Sequence, residues 1–272
     1  MARIGVVAQN FDIFEGDGLD GFARTGNTSA SQILRAGAQG VILGHSEAGD
    51  GPETVHKKLL SLIGQKVGLK KLVILVGEGW DEYENSGREP GKIAKLVEGK
   101  CERIFSGVPE GFLKEAIIGY EPKWGSKGSG RDDASPPQPE VISACIGKMR
   151  DFFGEKYGNR TKPGFIYGGR STPERTEQIL ADENVDGLIL GSACNTVEKT
   201  MEIARIMGKA GAGRKKVLVC NFKAYELQDS YGKYIDELGK LPEDFLILLA
   251  PPYTDIRAVR TLLEEKGFLF NE

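Results

Sequence analysis

The sequence predicts a (β/α)₈ barrel, and three observations carry that prediction. First, eight short runs rich in Val, Ile and Leu recur along the chain: RIGVVAQ, GVILGH, LVILVGE, AIIGYEP, GFIYGG, GLILGS, VLVCNFK and FLILLAPP. They are continuously apolar rather than alternating, as suits parallel strands buried on both faces. Second, helix-like segments stand between them, which implies right-handed βαβ crossovers. Third, eight such units in roughly 250 residues match a closed barrel better than an open sheet. A doubly wound sheet is the alternative, but it would carry a glycine-rich phosphate fingerprint after its first strand, and GVVAQNFDIFEG has none.

The intervening helices have recognisable signals. TSASQILRAGA begins with Ser and Thr, PETVHKKLLSLIGQK spaces Val55, Leu59 and Leu60 onto one face, and PPQPEVISACIGKMRDFF puts prolines before a long amphipathic run. STPERTEQIL, NTVEKTMEIARIM, AYELQDSYGKYIDELGK and YTDIRAVRTLLEEKG repeat the pattern, and a weaker helix is expected between Gly91 and Glu98. There is no break in composition. GKAGAGRKK is small and basic but joins a helix to a strand inside the series, so residues 1–272 are expected to form one barrel domain.

Composition narrows the function classes. The 272 residues carry 36 Lys+Arg against 39 Asp+Glu, a formal charge of -3, without a basic block interleaved with aromatics. Neither a nucleic-acid nor a membrane partner is expected. The start MARIGVVAQN lacks a signal-peptide pattern and no run is long enough to span a bilayer, so a cytoplasmic location is the default. Cys101, Cys145, Cys194 and Cys220 are widely separated and only His45 and His56 add imidazoles, so metal-ligand spacing is absent. The cysteines read as buried apolar residues; for Cys194, after a Gly-Ser turn, a reactive thiol is the lesser alternative.

A barrel enzyme assembles its site at the carboxyl ends of its strands. Here those ends are AQN (8–10), GHSE (44–47), VGE (76–78), YEP (120–122), YGGR (167–170), LGS (190–192), NFK (221–223) and APP (250–252). KWGSKGSGRDD, after Glu121, has the composition of a closing lid, and YGG and LGS leave main-chain N–H groups open to an anion.

Taken together, the Asn-Phe-Lys strand end, GHSE, YEP leading into a Trp-containing lid, and YGG resemble the triosephosphate isomerase family over nearly the whole chain. The order differs. In that family the Asn-aromatic-Lys strand comes first and the APP strand second, whereas here the chain starts at AQN, the family's third strand. The sequence therefore reads as a circular permutant of the TIM barrel, with the family's ends joined through GKAGAGRKK. Both changes fall in helix-to-strand connections on the face opposite the active site.

The resemblance implies a cofactor-free, metal-free, cytoplasmic isomerase of glycolysis and gluconeogenesis, forming a homodimer and acting on a small phosphorylated sugar. It implies Glu121 as base, His45 as electrophile and Lys223 as the cation that meets the developing oxyanion, with a lid that closes over them. Asn221 would donate a hydrogen bond and Glu47 would pair with Lys223 or orient the site. Gly128 in the lid, Gly168, Gly169, Gly191 and Ser192 would offer N–H groups to phosphate. Standing alone, YEP would read as an exposed strand-end glutamate and His45 as a buried structural histidine.

Several positions depart from the family pattern. Ala48 and Gly49 stand where two arginines usually follow GHSE, which removes a charge network. Arg170 replaces the serine after YGG, where it would bind phosphate bidentately, reach a second anionic group or crowd the pocket. Ser192 replaces a glycine, the lid is a residue longer, and FDIFEGDGLDGFARTGN exceeds the loop that enters a dimer partner. The expected function is interconversion of triose phosphates. A related isomerase for a longer sugar phosphate, or a non-catalytic sugar-phosphate-binding barrel, stand as alternatives.

Overall fold

The computed structural model describes residues 1–13, 26–66, 68–125, 135–158, 161–210 and 214–269. Its strands are β1 (Arg3–Ala8), β2 (Gly40–Leu43), β3 (Lys71–Val76), β4 (Ala116–Tyr120), β5 (Gly164–Gly168), β6 (Gly187–Leu190), β7 (Lys216–Asn221) and β8 (Phe245–Ala250). All eight coincide with the apolar runs. Each is parallel to its sequence neighbours, and β1 also pairs with β8, through Arg3 opposite Leu246 to Val6 opposite Leu249, which closes the ring. Since every strand runs the same way, all eight carboxyl ends share one rim.

Side chains alternate between two apolar layers, as period 2 requires. In β7, Val217 and Val219 point into the barrel with Ile42, Val73, Ile117 and Leu248 from other strands. Leu218 and Cys220 point outward to the larger cluster between sheet and helices. Burial on both faces is why no strand shows a polar alternation.

The helices are α1 (Ala30–Ala36), α2 (Pro52–Gly64), α3 (Trp80–Asn85), α4 (Pro90–Ile104), α5 (Glu110–Leu113), α6 (Pro139–Tyr157), α7 (Pro173–Leu180), α8 (Val197–Lys209), α9 (Tyr231–Leu238) and α10 (Ile256–Glu265). Ser29, Thr172, Thr196 and Ser230 accept N-terminal N–H groups, and Pro52, Pro90, Pro139 and Pro173 open their helices without a wasted donor. Two expectations are corrected. The weak helix expected at Gly91–Glu98 is the fifteen-residue α4, which buries Ile93, Ala94, Val97, Lys100, Cys101 and Ile104 on one face against α6. Lys100 obscured that face in the sequence; it is buried because its ammonium donates to Gly77 O at 2.9 Å and to Glu82 at 2.5 Å. The helix expected from Ala224 begins instead at Tyr231, where Ser230 caps it.

All four cysteines are free and buried. Burial pushes the Cys101 thiol up to about 12, which makes it a poor nucleophile, and the buried Cys194 Sγ–H donates to the carbonyls of Leu190 and Gly191. Among the described residues no helix is long and apolar enough to cross a membrane. Residues 268 and 269 run beside β1: Leu269 bridges Ile4 in parallel, and Ile4 N donates to Phe268 O at 3.4 Å.

Candidate active site

Glu121 leaves β4 at the carboxyl rim and is only 5% exposed. Its carboxylate is held from β2: Ser46 N donates to Oε2 at 2.9 Å and Ser46 Oγ to Oε1 at 3.2 Å. His45 Nε2 lies 3.5 Å from Oε1. Gly77, at the end of β3, makes this placement possible, because a Cβ there would overlap the Glu121 carbonyl and Pro122 N. We expect Gly77→Ala to displace the Glu121 backbone and to destabilise the fold by about 1–3 kcal/mol, as overpacking does. An unchanged urea-unfolding midpoint with unchanged kcat would refute this.

His45 has a defined tautomer. It caps a 3₁₀ turn, Ser46–Ala48, and its Nδ1 accepts the Glu47 N–H at 3.1 Å. An accepting Nδ1 carries no proton, so the ring proton sits on Nε2, the atom facing Glu121. The imidazole is thereby aimed as a hydrogen-bond donor.

Lys223 follows β7 with a φ of 50°, in the left-handed region that non-glycine residues rarely occupy. Its backbone is pinned on both sides. Lys223 N donates to Asn221 Oδ1 at 3.1 Å, while Gln9 Nε2 donates to Lys223 O at 2.8 Å and to Ala250 O at 3.0 Å. Its ammonium pairs with the Glu47 carboxylate and lies 5.8 Å from the Tyr225 ring centroid. Glu47 is 44% exposed on its side chain, so the pair adds about 0–1 kcal/mol to stability and chiefly fixes where the cation stands.

Glu121, His45, Asn221 and Lys223 converge on one cavity of about 230 Å³, with Gly169, Arg170, Gly191 and Ser192 on its wall. Gly168 does not line it. A Cβ on Gly168 would press on Ile189 and on Cβ and Cγ of Glu121, so this glycine makes room for the carboxylate instead of facing the cavity. Gly191 is equally close to Lys223, whose Cε would lie 3.0 Å from an added Cβ. Arg170 N donates to Gly125 O at 3.2 Å, tying YGGR to the segment that follows β4. Gly128 lies outside the described residues.

Three features of the site carry little mark in the sequence. Ser46 stands inside GHSE with nothing local to mark its role, since its partner is 75 residues away. Lys58, only 3% exposed on α2, donates to Asp50 at 2.6 Å and to Asn10 at 2.9 Å, so a buried ion pair links the ends of β1 and β2 despite Ala48 and Gly49. Glu78, fully buried at the end of β3, accepts from Trp124 Nε1 at 2.9 Å and Tyr120 OH at 3.1 Å. It thus joins the end of β4 to Trp124 just beyond it, which also packs on Trp80 and Tyr83. A strand-end carboxylate was the available signal.

Burial raises Glu78 above its ordinary value of 4.5, with the hydrogen bonds from Trp124 and Tyr120 offsetting only part of the shift. An acid raised on folding binds its proton more tightly in the native state. Its contribution is therefore complete below the unfolded value and lost as pH rises through the folded one. Relative to Glu78→Gln, the wild-type protein should lose thermal stability as pH rises above about 4.5, and the two should converge in more acid solution. Parallel melting curves across that range would contradict this.

Among the described residues no cluster of His, Cys, Asp and Glu is arranged to hold a metal. A carboxylate, an imidazole N–H and an ammonium around a small cavity, at the carboxyl rim of eight parallel strands, define a barrel isomerase built for proton transfer. The family model of triosephosphate isomerase matches residues 1–207. Curated proteins named triosephosphate isomerase are similar over much of their length. One from Malacoplasma penetrans is 30% identical over 211 residues, 75% of this chain and 77% of its own. One from Treponema denticola is 32% identical over 189 residues, covering 67% and 70%. One from Aster yellows witches'-broom phytoplasma is 31% identical over 214 residues, covering 76% and 72%. The chain belongs to the triosephosphate isomerase family.

Proposed function

We propose that the protein interconverts dihydroxyacetone phosphate and D-glyceraldehyde 3-phosphate through an enediol(ate). The observation that carries this is the convergence of Glu121, His45 and Lys223, from β4, β2 and β7, on one cavity. Glu121 takes the proton from the carbon beside the carbonyl and returns it to the neighbouring carbon. His45 Nε2–H donates to the carbonyl oxygen and then moves protons between the two oxygens. Lys223, with Asn221, stabilises the negative charge that develops there. Before this, the substrate must draw Glu121 from its hydrogen bonds to Ser46. Gly169, Gly191, Ser192 and Arg170 face the phosphate, and the lid bearing Gly128 excludes water. Glu47 holds the Lys223 ammonium. No step calls for a cofactor or metal.

The family match favours a triose phosphate over a longer sugar, with Arg170 on the cavity wall as the departure that could change this. This reading also takes residues 1–272 as a single domain of circularly permuted order. The family match ends at residue 207, before the linker-like segment, yet β7 supplies Asn221 and Lys223 and closes the ring with β8. The run of residues 268 and 269 beside Ile4 supports the same view, for it places the carboxyl segment where a continuous chain would enter β1. A cytoplasmic homodimer working in glycolysis and gluconeogenesis completes the proposal, on the family resemblance.

A coupled assay with glyceraldehyde 3-phosphate beside tetrose and pentose phosphates tests it. Turnover confined to the longer sugars would overturn the triose assignment, and binding of all without turnover would make the barrel a regulator.

A further inference from the structure

The opposite end of the barrel holds a second cavity, of about 290 Å³, among the amino-terminal ends of β4, β5, β7 and β8. Its floor is apolar: Ile117, Val217 and Leu246 belong to the barrel's interior layer. Its wall is basic, with Lys71, Lys114, Arg150, Lys162, Arg214 and Lys215 set against Glu115 and Asp186. Six cations less two carboxylates leave four net positive charges among the described residues, on a chain whose formal charge is -3.

Both carboxylates are already engaged. Glu115 pairs with Lys71 at 2.5 Å, and Asp186 pairs with Arg150 at 2.6 Å while accepting the Phe165 N–H at 2.7 Å. No carboxylate among the described residues forms an ion pair with Lys114, Lys162 or Lys215. Partial burial, and next the charge of Lys71, hold Lys215 below the ordinary lysine value. Cations crowded around a concave, apolar-floored cavity repel one another more than they would in open water, and a bound anion removes that repulsion.

We propose that this cavity is a binding site for a small anion bearing two or more phosphate groups. The charge surplus calls for a multivalent ligand: Arg150 is committed through Nε to Asn184 O and through Nη2 to Asp186, and Arg214 through Nη1 to Glu183 O, so the ammoniums of Lys114, Lys162 and Lys215 would make the main phosphate contacts. The volume suits a compact molecule. Among the described residues no aromatic side chain lines the cavity, so nucleic-acid bases would find no stacking surface there. β4 and β7 run from this floor to Glu121 and Lys223, roughly 15–20 Å away at the strand rise, so the anion would not compete with substrate. The inference stands independently of the catalytic assignment.

Titration calorimetry of the full chain with inorganic pyrophosphate tests it, alongside the variant Lys114→Ala/Lys162→Ala/Lys215→Ala. We expect pyrophosphate to bind the wild-type protein with the sugar phosphate saturating, affinity to fall at least tenfold in the variant, and kcat/KM to stay unchanged. Lys162→Met, which keeps the aliphatic stem, should weaken binding severalfold by itself and guards against a misfolded triple variant. Equal affinity in wild type and variants, or complete displacement of pyrophosphate by the sugar phosphate, would overturn the proposal. So would tighter binding of citrate, or displacement by an oligonucleotide of higher affinity.

Discussion

Glu121→Gln is expected to lower kcat by about 10²–10⁴-fold, the range for loss of a positioned general base, with KM changed far less. The amide has the volume of the carboxylate, and its oxygen still accepts the Ser46 N–H that now reaches Oε2 at 2.9 Å, so the fold and cavity should persist. It lacks a second acceptor that can take a proton from carbon. Glu121→Asp is the companion: it keeps the carboxylate but draws it back by one methylene, and even an ångström of misplacement is expensive in rate. Steady-state kinetics in both directions decide the matter. If Glu121→Gln keeps kcat within tenfold of wild type, another group is the base.

Lys223 makes a two-part prediction because its charge and its backbone can be separated. Lys223→Ala should reduce kcat/KM by about 10²–10³-fold, the loss associated with one stabilising partner of a developing oxyanion. Lys223→Gly should lose as much activity, yet melt at a higher temperature than the alanine variant. The reason is the φ of 50°, which strains alanine as it strains lysine but suits glycine. A difference of about 1 kcal/mol would separate the two melting temperatures by about 2–4 °C in a chain of this size. Identical melting temperatures would mean that the backbone at Lys223 is unstrained, and unchanged kcat/KM would remove its electrostatic role.

The eight strands were legible because burial on both faces turns each into an uninterrupted apolar run such as GVIL or KVLVCN. Helices were harder where chemistry disguised the pattern. Lys100 breaks the apolar face of α4 on paper, and only its carbonyl and carboxylate partners, 23 and 18 residues earlier, explain its burial. In the site, His45, Glu121, Asn221 and Lys223 stood out as polar residues at the ends of apolar strands. Ser46 and Glu78 did not, since the groups that give them meaning come from another strand and from the segment that follows β4. Gly168 shows the opposite failure: a glycine beside an expected phosphate turn carries no mark telling an open N–H from space left for a neighbouring side chain.

The closing pair of β1 with β8 joins residues such as Arg3 and Leu246, which lie far apart in the chain, and this shapes how the molecule is made. Six strands are synthesised before β7 and β8 exist. Until then β1 and β6 each present an unpaired edge, and the interior face that Val219 and Leu248 later cover has no lid of its own. At about 5–20 residues per second, the stretch from Leu190 at the end of β6 to Ala250 at the end of β8 takes several seconds to emerge. A nascent chain that had paired its first six strands would in that interval be an open sheet exposed to edge-to-edge association. Because Asn221 and Lys223 ride on the penultimate strand, a ribosome that stalls before β7 releases a chain that is both aggregation-prone and without its oxyanion partner.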